Sequence, residues 1–123
     1  MAEQVERWPS APGEIVSAGH EVAVHGYNHR GHLRRTPWNV ADDLRRARAI
    51  IEDAAGRETT LYRAPYGVFS FGSWREADAQ GWTRVLWSRW GKDWEEEGTP
   101  QRIADLIGYP VAYVIARLPP AKR

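Results

Sequence analysis

The chain has 123 residues, about one domain's worth and enough for a single core. Hydrophobic residues make up 42% and charged residues 27%, and the net charge of +1 creates no field to gather phosphates or anionic lipid. Neither nucleic acid nor a membrane is therefore an expected partner, and the absence of cysteine leaves histidine and carboxylate to hold any metal.

The chain opens on MAEQVERW, which is charged, and no later run approaches the roughly 20 apolar residues of a membrane span. The expectation is a cytoplasmic protein without anchor. Residues 10–18 (SAPGEIVSA) predict a helix started by Ser10 and stopped by Gly19, and residues 21–25 (EVAVH) a short strand. In TPWNVADDLRRARAIIEDAAG, Thr36 is the cap and Pro37 the first helical residue. Val40, Leu44, Ala47, Ile51 and Ala54 form one apolar face, and Gly56 is the stop. TLYRAPYG follows as a strand ending in a turn at Pro65 and Gly67, then GSWREADAQG as a helix and TRVLWS as a strand. After the loop RWGKDWEEEG, Thr99 and Pro100 start a helix over QRIADLI, and VAYVIARL is a last strand. Alternating strands and helices imply parallel strands in an α/β sheet or barrel, without repeats or linkers.

In such folds a ligand site lies beyond the carboxyl ends of the strands. The first strand delivers His25 and His29; the second, Arg63, Pro65 and Tyr66; the third, Trp87, Asp93 and Trp94. All four histidines fall in GHEVAVHGYNHRGH, and the four-residue spacing of His25 and His29 suits two ring nitrogens facing one way. Taken alone, His-x-x-x-His is a weak pattern and Arg63 reads as a surface charge. Asp42 and Asp43, near the start of the strongest helix, read as a solvated face favoured by the helix dipole. Seven tryptophans are many for this length; core packing is the ordinary reading for each, and stacking on pyranose rings is the alternative.

The motifs resemble the polysaccharide deacetylases of the NodB-homology type, metal-dependent hydrolases that remove acetyl groups from amino sugars in chitin or peptidoglycan. HGYNH is similar to the family's His-Ser/Thr-x-x-His motif, RAPYG to Arg-x-Pro-Tyr, and WSRWGKDW to the motif ending in Asp-Trp. The likeness runs to about residue 108. It implies a fragment of a distorted (β/α) barrel, one partial domain over residues 1–123, acting on a carbohydrate polymer or oligosaccharide. His25 and His29 would bind a divalent metal, zinc first, which polarises the acetyl carbonyl and activates water. Arg63 would hold the catalytic base, the Tyr66 backbone N–H would donate to the oxyanion, and Asp93 would tune the histidine that serves as general acid. Trp94 would wall the acetyl pocket, and Pro65 would also bind substrate.

The sequence departs from the family in four places. Gly26 replaces the usual hydroxyl residue, and Trp90 stands where many relatives have a smaller or acidic residue. Thr-Phe-Asp-Asp-Gly, the source of the base and the third metal ligand, does not occur, and no histidine follows His32 to supply the Leu-x-His general acid. The expectation is an incomplete site that holds metal weakly and does not complete the reaction alone, on a fold whose open sheet edge favours self-association. The alternative is a non-catalytic carbohydrate-binding or partner-binding remnant. His20 and His32 match no ligand position.

Overall fold

Thr36 accepts a hydrogen bond from the Asn39 N–H through its side chain, Pro37 takes the first helical position, and helix α3 runs Pro37–Ala55. Its buried stripe is Val40, Leu44, Ala47, Ile51 and Ala55, and Gly56 at φ 66° closes it in the left-handed conformation that glycine adopts without strain. The computed structural model describes residues 1–87 and 99–102. The chain divides into two units, Met1–Leu86 and Trp87–Arg123.

In the first unit two helices precede α3: α1 (Ala2–Arg7) and α2 (Ala11–Ser17). The second matches the expected helix from Ser10 to Gly19, and Gly19 has φ 86°. The first has no side-chain cap and no sequence signal. Its leading N–H groups find tertiary acceptors instead: Ala2 donates to Gly26 O at 3.2 Å and Glu3 to Tyr27 O at 2.9 Å. Ala2 and Val5 join the core.

The strands are short and parallel. Val24 bridges Tyr62, with Val24 N–H donating to Leu61 O at 2.9 Å and Arg63 N–H to Val24 O at 3.0 Å. Strand β1 (Leu61–Tyr62) pairs on with β2 (Thr83–Arg84), in register Leu61 to Thr83 and Tyr62 to Arg84. The expected strand over TLYRAPYG contracts to two residues, because Pro65 has no N–H for a ladder and the chain then enters a 3₁₀ turn, Pro65–Gly67. Helix α4 (Phe71–Ala79) starts from a reciprocal cap, in which the Ser70 side chain accepts the Ser73 N–H and the Ser73 side chain accepts the Ser70 N–H.

Val24, Leu44, Ala47, Tyr62, Ala64, Ala77 and Trp82 pack into one core under α3 and α4. Of the four tryptophans in this unit, only Trp82 is buried; Trp8, Trp38 and Trp74 are exposed, which corrects the core-packing reading for those three. Trp74 instead lies under the Arg84 guanidinium, 3.9 Å from the ring centroid. Two described arginines of the helices, Arg45 and Arg48, brace α3 to α4 and to the chain after it. Arg45 forks onto Glu76 with two bonds of 2.9 Å, and Arg48 bonds Glu52, whose Oε1 accepts the Thr59 N–H at 2.7 Å.

In the second unit Thr99 Oγ1 accepts the Arg102 N–H at 3.2 Å and residues 100–102 are helical, as the cap-plus-proline reading expects. Trp90, Asp93, Trp94, the rest of that helix and the last strand lie outside the described residues. Among the described residues no helix is long and apolar enough to cross a membrane.

Candidate active site

The carboxyl ends of the first two strands meet at the expected place. His25 directly follows the Val24 bridge, and its Nδ1 lies 2.8 Å from Arg63 O. A carbonyl only accepts, so Nδ1 carries the proton and Nε2 keeps its lone pair. Burial pushes the His25 pKa down, against the opposing pull of the Arg63 carbonyl, so the ring is neutral near pH 7. A neutral ring with a carbonyl-anchored Nδ1 is the form in which imidazole ligates a metal.

His29 comes to the same spot by a turn. Its ring centroid lies 5.1 Å from that of His25, with the planes tilted by 56°. Tyr66 stacks edge-on against His29 at 4.4 Å, and its hydroxyl donates to His29 O at 3.3 Å. The two expected motifs are therefore in contact, although 37 residues separate these partners.

The RAPYG turn holds the one positive-φ residue other than glycine among the described residues, Tyr66 at φ 59°. A non-glycine residue there is strained by roughly 1–2 kcal/mol. Gly67 N–H donates to Ala64 O and Val68 N–H to Pro65 O, while among the described residues no acceptor takes the Tyr66 N–H. Pro65 of this turn is buried, and a Cβ on Gly26 would sit 3.8 Å from the Pro65 ring. Arg63 donates from Nη2 to Leu86 O at 3.3 Å.

Asp42 and Asp43 do not share a solvated face. Asp42 does face solvent, its side chain 75% exposed beside Arg45, but that of Asp43 is 8% exposed. Its Oδ2 accepts the Tyr27 N–H at 3.0 Å and its Oδ1 accepts Arg35 Nη1 at 3.0 Å. The signal was available in the spacing: Asp43 stands three after Val40 and four before Ala47, on the buried stripe, whereas Asp42 lies off it. His32 is also buried, 1% exposed, with Nδ1 3.1 Å from the Tyr62 hydroxyl and no hydrogen-bond partner at Nε2 among the described residues.

His25 and His29 suit two ligand positions of a divalent ion. No cluster of three or more histidine or acidic side chains able to hold a metal occurs among the described residues, so the pair falls one ligand short of a set of three. Asp93 and Trp94, the remaining expected members, fall outside the described residues.

Comparison with known proteins gives the family and the fold. The sequence model for polysaccharide deacetylase matches residues 1–85. The peptidoglycan deacetylase of Helicobacter pylori is 27% identical over 86% of this chain and 44% of its own length. The chain thus spans less than half of that relative. Among solved structures, a family 4 carbohydrate esterase from Streptomyces lividans in complex with acetate superposes with a TM-score of 0.79 at 24% identity, covering 97% of this chain and 57% of that one. A family 4 acetyl xylan esterase from Clostridium thermocellum, in complex with a cobalt ion, gives 0.74 at 20% identity, over 97% and 53%. The fold is accordingly part of a NodB-type (β/α) barrel, and deacetylases of this kind are metal-dependent. With the family model matching well over half of the sequence and two of its motifs meeting at adjacent strand ends, the chain belongs to the polysaccharide deacetylase family.

Proposed function

We propose that residues 1–123 are part of one deacetylase domain whose reaction is hydrolysis of acetyl groups from N-acetyl amino sugars in a chitin- or peptidoglycan-type polymer. The observation that carries this reading is the His25 Nδ1 bond to Arg63 O, which ties the histidine motif to the arginine motif and frees Nε2. His25 and His29 would hold a divalent ion, zinc first, which when bound supplies Lewis-acid polarisation of the acetyl carbonyl. The Tyr66 N–H would donate to the developing oxyanion, and the strained turn that carries it supports a functional backbone. Arg63 would position a carboxylate base. Asp93 and Trp94 keep the roles that their motif implies: tuning the general acid and walling the acetyl pocket.

The sequence contains neither Thr-Phe-Asp-Asp-Gly nor a histidine after His32, so these 123 residues hold neither the family's base nor its acid. Each contributes roughly 10²- to 10⁴-fold in rate, and we expect no detectable acetate release from chitooligosaccharides by this chain alone. Zinc titration checks the metal half. Binding should be weak and should disappear in His25→Ala and in His29→Ala; unchanged binding in both would remove the pair from the site. Appending both missing segments from a relative should restore chelator-sensitive release, and Arg63→Ala should then abolish most of it.

The exposed indoles of Trp8 and Trp38 favour a second reading, carbohydrate binding without chemistry. Oligosaccharide binding that survives a chelator and both histidine substitutions would select it. Among the described residues the segment around Val24 pairs on one side only, which supports self-association through that edge. Size-exclusion chromatography at two protein concentrations reads this directly, and a concentration-independent monomer would reject it.

A further inference from the structure

The loop carrying His25 and His29 has little support of its own. Gly26 stands at φ +84° without a side chain, and within the loop Arg30 N–H donates to Asn28 O at 2.9 Å. Two of its carbonyls, those of Gly26 and Tyr27, are held from α1. Among the described residues its one amide held by a side chain is that of Tyr27, midway between the two histidines in sequence, and the acceptor is Asp43 Oδ2 at 3.0 Å.

The carboxylate is itself held at both oxygens. It projects from the second turn of α3, its other oxygen takes Arg35 Nη1 at 3.0 Å, and Arg35 Nη2 donates to Asn39 O at 3.1 Å on the same helix. A Cβ placed on Gly26 would lie 3.4 Å from Asp43 Oδ2, so the carboxylate packs directly against the glycine. A charge-assisted bond to the loop amide, from an 8%-exposed side chain on a 19-residue helix, is stronger than a neutral one and has little competition from water.

We propose that Asp43 is the positioning residue of the metal loop: from α3 it holds the Tyr27 N–H between the two histidines and so sets how their rings face each other. This rests on the reading of His25 and His29 as the metal pair. Without Asp43 the Tyr27 amide turns to water and Gly26, free of a Cβ, regains its wide backbone range. The rings then have to be gathered by the metal, and loss of such supporting contacts lowers metal affinity about 10- to 100-fold.

The test is Zn²⁺ titration of the full 123-residue chain beside thermal melting without metal. Asp43→Ala should weaken zinc binding about 10- to 100-fold. Asp43→Asn, which still offers a side-chain oxygen to Tyr27 while the partly exposed Arg35 turns to water, should bind close to the unsubstituted chain. Glu76→Gln, a buried carboxylate that braces α3 to α4 away from the loop, should lower the melting temperature and leave zinc affinity alone. Equal weakening by Glu76→Gln and Asp43→Ala would reduce Asp43 to a stability residue and overturn the proposal. So would unchanged affinity in Asp43→Ala while His25→Ala abolishes binding. Unchanged affinity in His25→Ala would instead remove the underlying reading. Should Asp43→Ala not fold, amide exchange in the unsubstituted chain decides: the Tyr27 N–H is expected to be protected, and rapid exchange there overturns the clamp.

Discussion

Two regions of α3 use the same pairing, arginine against a buried carboxylate, and put it to different ends. Around Asp43 the carboxylate has one oxygen for Arg35 and the other for a loop amide, so the ion pair anchors irregular backbone next to the histidines. Two residues further on, Arg45 reaches the other way to Glu76, and both carboxylate oxygens are spent on joining one helix to another. The first arrangement orients a site and the second holds a frame. The difference teaches that burial and pairing do not reveal a role; the backbone group at the far end of the pair does.

The largest expected effect breaks the frame alone. Glu76→Ala should cost about 3 kcal/mol, the low end for breaking a buried pair, because Arg45 is 57% exposed and recovers water when its partner is lost. Denaturant unfolding measures it. Zinc affinity should not follow, and a matching loss there would merge the two regions into one cooperative unit.

Acid sharpens the comparison, because His32 is buried against the Tyr62 hydroxyl of the core. Its ring contacts the Tyr62 hydroxyl, itself pushed up to about 12 by burial, and it lies within the field of Asp43, Arg35 and His25. Burial pushes the His32 pKa below its ordinary 6.5, and His25 is lowered for the same reason. The unfolded chain therefore takes up protons first as pH falls. This contribution to stability is complete above about pH 6.5 and is lost as pH drops through the folded values, with a slope of at most about 1.4 kcal/mol per pH unit for each ring. Melting between pH 7.5 and 5 should show it in the metal-free chain. His32→Leu with Tyr62→Phe should flatten part of that slope at little cost in stability, since it removes both partners and the unpaired Nε2 together. An unchanged slope in the double variant would remove His32 from the effect and leave it to His25 and the Met1 amino group, which burial also pushes down.

The smallest expected effect again belongs to the frame. Ser70→Ala removes the side-chain acceptor that begins α4 and should cost about 1 kcal/mol, read by chemical denaturation, with the loop amide of Tyr27 keeping its exchange protection.

Local signals carried the reading of α3 well. Thr36, Pro37, the apolar stripe and Gly56 each act within a few residues, so cap, period and stop are written in adjacent sequence. The histidine and arginine motifs were legible for a related reason: each is a short run of unusual residue types at a strand end. Helix α1 was not, since the acceptors for its first amides, Gly26 O and Tyr27 O, lie more than twenty residues away. The exposed tryptophans were misread because an indole suits a core and a surface alike, and only neighbours such as Arg84 decide.

By itself, then, the sequence determined where α3 begins and ends, that the strands run parallel around it, and which residues bear imidazole and guanidinium at the strand ends. These follow from backbone propensity and side-chain period, which act over a turn or two. Only the tertiary structure decided that His25 presents Nε2, because its tautomer is set by a carbonyl 38 residues away. It also decided that Tyr66 takes a left-handed conformation and that Asp43, not Asp42, faces the loop. One step along a helix turns a side chain by roughly 100°, and whether that turn points to water or to the backbone of a metal loop depends on what packs against the helix.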